Sequence, residues 1–340
     1  MKNLLSGVML ALFSTTLVLG AAEGGLRILY PKPRDGEVVS LEYRHKWTFN
    51  SDGYRDEEFA GKARENRPAV LMVGDSFTVG MGVERPDSFF SILERRWPQL
   101  TLYNLGHINT GTLSHLKTVD DWTRRLSPRD VVLFLYWNDV HDNLKEQAEL
   151  ERDPAPAPAA RRDAFIPAPE GLKDLLRRAL LYQWLSAKTR VVLSRWGVAK
   201  LDDRLEFELF RVEPEGEALR AWTITAGALE RMSELCRQRG VRLTVVYVPK
   251  REQFTRWQAL LDFYEADPAL YGRFAPNERL KRLCENSGIG WIDVSPEIDA
   301  LDPVRREALY YKWDTHFTPE GYRFYAKLVG ERLGELLGAA

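Results

Sequence analysis

Short apolar runs alternate with amphipathic stretches along most of the chain. The runs are rich in valine, leucine and phenylalanine and are bounded by glycine, proline or polar residues, a pattern that predicts strands buried on both faces. Strands that alternate with helices favour an α/β fold with a doubly wound parallel sheet. The predicted strands lie at about residues 70–73, 100–105, 130–136, 241–248 and 290–294. Helices are predicted most clearly over residues 88–97, 112–126 and 217–239, and the last helix begins at Pro319.

Two segments depart from this alternation. Residues 142–217 include a proline-rich stretch and, at 171–196, an amphipathic helical pattern. We interpret this region as a helical insertion over the edge of the sheet, serving either as a lid or only as additional packing. Residues 23–68 are polar, with a turn signal at 50–56, and predict an extended arm that packs on the main domain. Within that turn, Arg55 is expected to pair with a carboxylate or to reach an anionic group.

The N-terminus carries a nearly uncharged apolar segment, residues 4–22. As a helix, a segment of this length spans about 28 Å, close to the thickness of the hydrocarbon core of a bilayer. It predicts a signal peptide or a membrane anchor over residues 1–22, and the small residues at 20–22 offer a cleavage site. We therefore expect an extracytoplasmic protein, periplasmic or at the cell surface, whose arm at 23–68 leads into one main domain at 69–340.

The composition mainly excludes classes of partner. Lys and Arg total 48 against 49 Asp and Glu, for a net charge of −1, and no basic stripe with interleaved aromatic residues is present, so nucleic acid is not predicted to bind. Cys236 and Cys284 form no CxxC pattern and have no histidine nearby, so the sequence predicts neither a metal site nor a cofactor. We expect two buried free thiols or, in an exported protein, one disulfide.

A serine follows the first predicted strand directly, in the sequence Gly74-Asp75-Ser76. The carboxyl ends of parallel strands share one edge of the sheet, where α/β folds bind their ligands, so Ser76 is a candidate nucleophile. Asp314 and His316 lie in the loop before the last helix, and the same edge can bring them to Ser76. His316 would then take the hydroxyl proton while Asp314 orients the imidazole ring.

Two other strand ends offer donors for an oxyanion hole. Asn138 ends the third predicted strand, and its side-chain N–H would act with the backbone N–H of Ser76; one such donor is worth roughly 3–4 kcal/mol of transition-state stabilisation. The loop after the second strand contains Gly106 and Gly111, either of which can present a further backbone N–H. Taken singly, each of these motifs also fits an ordinary turn.

Other histidines are alternatives to His316 as the base. His107 lies in the loop after the second strand, near the proposed site, and is the most serious competitor; His115 and His141 are the others. His316 is favoured because Asp314, two residues before it, supplies the orienting carboxylate.

Taken in chain order, these motifs resemble the four sequence blocks of the SGNH (GDSL-type) hydrolases: Gly74-Asp75-Ser76, the loop 106–111, Asn138, and the pair Asp314 and His316. Residues 50–56 and 138–143 also resemble a bacterial, membrane-anchored branch of that family. The resemblance implies a flavodoxin-like sheet, acyl-ester chemistry, and contact with the bacterial inner membrane through the N-terminal segment. It also implies Ser76 as the nucleophile, His316 as the base, Asp314 as its partner, and an oxyanion hole formed by the serine, one loop residue and the asparagine.

The last block departs from the usual family spacing. Only Thr315 separates Asp314 from His316, where the family typically has two residues. The tighter spacing resembles the alginate O-acetylation proteins, which move acetyl groups onto a polysaccharide. The prediction is therefore a serine ester hydrolase or O-acyltransferase that acts on O-acyl, especially acetyl, groups of a carbohydrate or cell-envelope glycan. The expected partner is an acylated small molecule or a glycan substrate.

Two further departures concern the oxyanion hole. Trp137 precedes Asn138 where the family has glycine, so a bulky ring stands where the family keeps space. In the loop, the family glycine corresponds most literally to Asn109, with Gly106 and Gly111 as the alternatives. If the ring of Trp137 filled the site, the alternative hypothesis would gain: a catalytically silent glycan-binding or scaffold protein on the same fold.

Overall fold

The computed structural model describes residues 14–25, 36–40, 42–63, 66–151 and 203–339. The chain divides into two compact units, the first comprising Met1–Asp35 with Asp153–Asp202 and the second Gly36–Arg152 with Asp203–Ala340. In the first unit, the structure describes one helix, residues 14–25. All the elements that follow belong to the second unit.

The predicted N-terminal segment and insertion lie partly outside the described residues. Residues 1–13 of the predicted signal peptide or anchor and residues 152–202 of the insertion fall outside them. In the described part of the chain, no helix is both long and apolar enough to cross a membrane. The export signal or anchor, the insertion and the domain boundaries stay predictions.

The second unit is built on one parallel sheet. A separate antiparallel hairpin, β1 (Glu37–Val39) and β2 (Arg44–Lys46), lies in the arm. The sheet contains β3 (Ala69–Gly74), β4 (Thr101–Gly106), β5 (Asp130–Tyr136), β6 (Arg242–Val248) and β7 (Gly290–Ile292). Its five strands are all parallel, in the spatial order β4-β3-β5-β6-β7. Counted within the sheet, this is the 2-1-3-4-5 order of flavodoxin-like folds, and the predicted fold class is confirmed.

Uninterrupted apolar runs explain why these segments are strands of the interior. Every residue of β4 and β5 is buried, as expected for strands covered by helices on both faces. In the register of the sheet, Gly74 at the end of β3 pairs with Gly106 of β4 and with Phe134 of β5. The carboxyl ends of the three strands therefore lie side by side, which brings the loops that follow them to one place.

Helices cover both faces of the sheet. They are α1 (Ser76–Val79), α2 (Phe89–Arg96), α3 (Thr112–Leu126), α4 (Asn138–Leu150), α5 (Asp203–Glu208), α6 (Gly216–Gln238), α7 (Arg251–Thr255), α8 (Trp257–Phe263), α9 (Ala275–Asn286), α10 (Ser295–Asp299), α11 (Pro303–Ala308) and α12 (Pro319–Leu337). The helices α3, α4 and α6 pack together in one group, and α2 packs against α12 in another. The last helix begins at Pro319 as predicted, with the side chain of Thr318 accepting a hydrogen bond from the N–H of Gly321.

The two cysteines are structural. Cys236 in α6 and Cys284 in α9 are buried and free. Burial raises the pKa of the Cys236 thiol to about 11 and that of Cys284 to about 12. Both groups therefore stay protonated at neutral pH, and of the two predicted alternatives the pair of buried free thiols is the one observed.

Candidate active site

The proposed nucleophile lies on a tight turn between β3 and α1. A side chain at Gly74 would place its Cβ 2.6 Å from the carbonyl oxygen of Phe134, so the strand can end this closely against β5 only with glycine. Asp75 then caps α1, its side chain accepting a hydrogen bond from the N–H of Phe77 at 2.9 Å. Ser76 is the first residue of the helix and remains partly exposed, while the residues on either side of it in the chain are buried.

The segment after α1 is braced by Arg55 from the arm. Its guanidinium donates hydrogen bonds to the carbonyl oxygens of Gly80 at 2.7 Å and Val83 at 2.8 Å, and it stacks over the ring of Trp47 at 4.6 Å. Burial lowers the pKa of Arg55 to about 10. The expectation that this residue pairs with a carboxylate or an anion is wrong: its partners are backbone carbonyl groups of the turn.

The structure brings Ser76, His316 and Asp314 into one hydrogen-bonded chain. The Oγ of Ser76 lies 2.8 Å from Nε2 of His316, and Nδ1 of His316 is hydrogen-bonded to Oδ1 of Asp314. The backbone N–H of His316 donates to the same Oδ1 at 3.0 Å. This is the arrangement in which a base is oriented by a carboxylate and contacts a nucleophilic hydroxyl.

The two carboxylates near the serine have different electrostatic environments. Burial alone would raise the pKa of Asp314, but the hydrogen bonds and charge of His316, with the hydroxyl of Tyr43, outweigh it and hold that pKa at about 2. Burial raises the pKa of Asp75 to about 6, opposed by the N–H of Phe77 and by His316. Asp314 is therefore ionised throughout the physiological range and can stabilise a charged imidazole.

Residues that the sequence analysis did not identify hold the loop of Asp314 and His316. The carboxylate of Glu42 accepts hydrogen bonds from the backbone N–H groups of this loop, and the hydroxyl of Tyr43 donates to Oδ2 of Asp314 at 2.9 Å. The guanidinium of Arg251 donates to two of the loop's carbonyl oxygens. No local pattern marks these residues, because Glu42 and Tyr43 lie about 270 positions from the loop they contact.

The three loop candidates for the oxyanion hole differ in what their backbone N–H groups already bind. Gly106 donates to Oδ1 of Asn104 at 3.0 Å, and Gly111 donates to Oε1 of Glu146 at 2.7 Å. Asn109 has a left-handed backbone with φ of 56°. Among the residues that the structure describes, the N–H groups of Asn109 and Ser76 have no hydrogen-bond acceptor.

Gly111 has a packing role instead. A side chain there would place its Cβ 2.9 Å from Oδ1 of Asn143, on the neighbouring helix α4. The same helix supplies Glu146, whose carboxylate also accepts from the N–H of Ser114 at 3.0 Å. The loop after β4 is thus fixed by α4, and its glycine is needed for the close approach of the two.

Asn138 is the first residue of α4, directly after β5. Its Nδ2 donates to Oδ2 of Asp142 at 2.9 Å, which leaves the second N–H of the amide without a partner in the described residues. The neighbouring Trp137 is only 2% exposed, and its ring is packed between Phe210 at 5.6 Å and the Nζ of Lys250 at 3.5 Å. The tryptophan ring is therefore part of the interior packing.

The other histidines do not contact the serine. All five histidines of the chain lie in described residues, and His316 alone bonds to Ser76. His107 is exposed and bonds to the carbonyl oxygen of Ile108. His115 is buried beside Thr110, and burial lowers its pKa to about 3, so this histidine is neutral. His141 lies 3.6 Å from Asp142.

The part of the chain that carries Asp314 and His316 matches an SGNH hydrolase-like domain. The matching family model is that of the acetyltransferase AlgX, and it covers residues 210–339. The predicted resemblance to SGNH hydrolases with an AlgX-like C-terminal block is confirmed, and the match supports an ester-acting class of enzyme. Ser76 and Asn138 lie outside the matched segment. No curated protein sequence matches the chain significantly.

Several solved structures are similar to this chain at low sequence identity. TesA is 11% identical with a TM-score of 0.44, over 79% of this chain and 99% of that chain. The psychrotrophic esterase EstA from Pseudoalteromonas sp. is 9% identical with a TM-score of 0.44, over 79% and 98%. The lipase/acylhydrolase from Enterococcus faecalis is 12% identical with a TM-score of 0.41, over 78% and 95%.

Proposed function

We propose that the protein is a serine ester hydrolase or O-acyltransferase in which Ser76 is the nucleophile, His316 the general base and Asp314 its orienting partner. The observation that carries the proposal is the continuous hydrogen-bonded chain from the Oγ of Ser76 through both ring nitrogens of His316 to Asp314. The same observation counts against the scaffold hypothesis, since a silent protein has no need of a serine held 2.8 Å from a base.

In the first half-reaction, the Oγ of Ser76 forms a bond to the acyl carbon while its proton moves to Nε2 of His316. The resulting oxyanion accepts hydrogen bonds from the backbone N–H groups of Ser76 and Asn109 and from the side chain of Asn138. When the bond to the leaving oxygen breaks, His316 returns the proton to that oxygen. The alcohol departs and an acyl-serine remains.

In the second half-reaction, His316 takes a proton from an attacking hydroxyl, whose oxygen bonds to the acyl carbon. The bond to Oγ then breaks, and the proton is returned to Ser76. Water as the attacking group gives hydrolysis, and a sugar hydroxyl gives transfer. Asp314 stays ionised through both halves, which favours the transient imidazolium.

The acyl group is proposed to be acetyl and its carrier or acceptor a carbohydrate or cell-envelope glycan. Two observations support this: the match to the AlgX acetyltransferase domain over the segment that holds the base, and the Asp-Thr-His spacing within it. The side chain of Trp313, next to Asp314, is 66% exposed and offers a ring face beside the catalytic loop. The apolar segment at 4–22 supports an extracytoplasmic location, where such glycans occur.

An acetyl-transfer assay tests this function. The full chain in detergent would be incubated with an aryl acetate, with an oligouronate or a neutral oligosaccharide as acceptor, and the products analysed by mass spectrometry. We expect Ser76-dependent release of the aryl alcohol, and acetylated sugar if the enzyme is a transferase. Equal turnover by wild type and Ser76→Ala would contradict the proposal.

A further inference from the structure

The N-terminal arm contacts the loop that carries Asp314 and His316, which we call the catalytic loop. Glu42 lies in the connection between β1 and β2. Its Oε1 accepts the backbone N–H of Lys312 at 2.7 Å, and its Oε2 accepts those of Trp313 at 2.7 Å and Asp314 at 3.1 Å. One carboxylate thus binds three successive N–H groups of the loop that ends in His316.

Tyr43 contacts the orienting carboxylate itself. Its hydroxyl donates to Oδ2 of Asp314 at 2.9 Å, while Oδ1 of the same group binds His316. Both oxygens of Asp314 are therefore held, one by the arm and one by the base. Burial, followed by the neighbouring Asp314, raises the pKa of Tyr43, so the hydroxyl keeps its proton and remains a donor.

The arm is itself anchored beside the nucleophile's turn. The ring of Tyr43 packs against Tyr311 at 5.1 Å and stacks on His45 at 5.6 Å. The hydroxyl of Tyr311 and the Nε2 of His45 both bond to the carbonyl oxygen of Gly82, at 2.7 and 2.8 Å. A side chain at Gly82 would put its Cβ 2.8 Å from the ring of Tyr311. The two catalytic segments are thus linked through the arm.

From this geometry we propose that Glu42 and Tyr43 are positioning residues of the active site: Glu42 fixes the backbone of the catalytic loop, and Tyr43 fixes the second oxygen of Asp314. The inference rests on the proposed function of Ser76, His316 and Asp314. It assigns the arm a part in catalysis, beyond the packing that its sequence suggests. The physical basis is that a base already held in its reactive orientation lowers the activation free energy, because it does not have to be reoriented.

The test compares Glu42→Gln and Tyr43→Phe with matched changes elsewhere in the arm. Glu58→Gln alters a carboxylate that accepts the N–H of Ser51, and Tyr54→Phe removes a hydroxyl that accepts from Trp122. The full chain would be reacted with a fluorophosphonate, and the second-order rate constant of labelling measured by intact mass. Thermal unfolding would establish that each variant is folded; Tyr43→Phe removes one oxygen atom and leaves the ring packing in place.

We expect both arm variants to react roughly 10-fold to 100-fold more slowly, the range that one hydrogen bond to a charged group supports. Glu42→Gln should have the larger effect, because it sets an amide N–H₂ against backbone donors. Glu58→Gln and Tyr54→Phe should match the wild type. Arm variants that react as fast as the wild type, or no more slowly than their controls, would overturn the inference.

A second readout does not need turnover. The low-field proton NMR resonance of the Nδ1–H of His316, assigned by its loss in His316→Gln, reports the bond to Asp314. We expect it to shift in Tyr43→Phe and to broaden in Glu42→Gln, and to be unchanged in the controls. If the wild type is not labelled at all, the proposed function fails while this resonance still decides the role of the arm. An unchanged resonance in both arm variants would contradict that role.

Discussion

The two segments that form the candidate site are held in different ways. The turn of Ser76 is fixed mainly by residues within it: a glycine that fits against β5, an aspartate whose side chain caps α1, and a glycine, Gly80, that ends the helix with φ of 86°. Arg55 of the arm braces the segment that follows. The loop of Asp314 and His316 is fixed by side chains far away in sequence, from the arm and from Arg251. The candidate nucleophile is therefore held largely by local residues, whereas its candidate base depends more on contacts that form only in the completed fold.

The largest effect is expected for Asp314, the residue of the loop that orients His316. Asp314→Asn replaces the acceptor that orients His316 and favours the wrong tautomer, so hydrolysis of an aryl acetate should fall roughly 10⁴-fold. Asp302→Asn is the matched control, since Asp302 only caps α11. A loss of less than 10-fold in Asp314→Asn, with Asp302→Asn unchanged, would mean that His316 is not oriented by this carboxylate.

The next effect concerns the proposed oxyanion hole. Asn138→Ala removes the amide donor after β5, and we expect kcat to fall roughly 10²- to 10³-fold with little change in KM. Urea unfolding at equilibrium would show whether the loss of the bond to Asp142 affects the fold. An equal rise in KM with kcat unchanged would point to a role in binding only.

The third effect is a loss of stability on replacing Arg55, which braces the turn of Ser76 but takes no part in the chemistry. Arg55→Met leaves buried carbonyl groups of Gly80 and Val83 without their donor, so the free energy of unfolding should fall by about 3 kcal/mol. Arg95→Met is the control, because the exposed Arg95 bonds to a single carbonyl group. If labelling of the folded Arg55 variant also fell by orders of magnitude, the turn would depend on the arm as much as the loop does.

The smallest effect is expected for Asp75→Asn, which should raise the free energy of unfolding only above a defined pH. The pKa of Asp75 is about 6 in the folded protein, against about 3.9 for an unfolded chain. The folded state binds this proton more tightly, so the stability contributed by the group is full below about pH 4 and is lost as the pH rises through about 6. Asp75→Asn removes the buried charge and keeps an acceptor for the N–H of Phe77.

At pH 8, Asp75→Asn should therefore raise the free energy of unfolding by up to about 3 kcal/mol, and the gain should vanish near pH 4. Denaturant titrations at the two pH values measure both numbers. A variant that is less stable than the wild type at pH 8 would show that the carboxylate contributes more through its hydrogen bonds than burial of its charge costs.

The same contrast explains what the sequence could predict. Strands β3 to β6 were predicted because uninterrupted apolar runs bounded by breakers leave few alternatives, and the common edge of a parallel sheet then placed Ser76 near His316. Asn138 was predicted at the end of β5, and the structure places it there as the first residue of α4. These features depend on local pattern and on topology.

Other features could not be read from the sequence, because they depend on side chains that meet only after folding. Nothing near Glu42 or Tyr43 in the sequence indicates a partner in the C-terminal loop. Arg55 was expected to find a charged partner, yet its two terminal nitrogens donate to backbone carbonyl groups instead. Likewise, the sequence could not show that the N–H groups of Gly106 and Gly111 already have acceptors, which favours Asn109 among the three candidates.

The most direct test of the central claim is covalent labelling of the full chain with a fluorophosphonate, read by intact mass and peptide mapping, with Ser76→Ala beside the wild type. We predict one adduct on the wild type, mapped to Ser76, and none on the variant, because only a serine activated by a base reacts at a useful rate. A folded wild-type protein that forms no adduct, or an adduct that persists in Ser76→Ala, would contradict it.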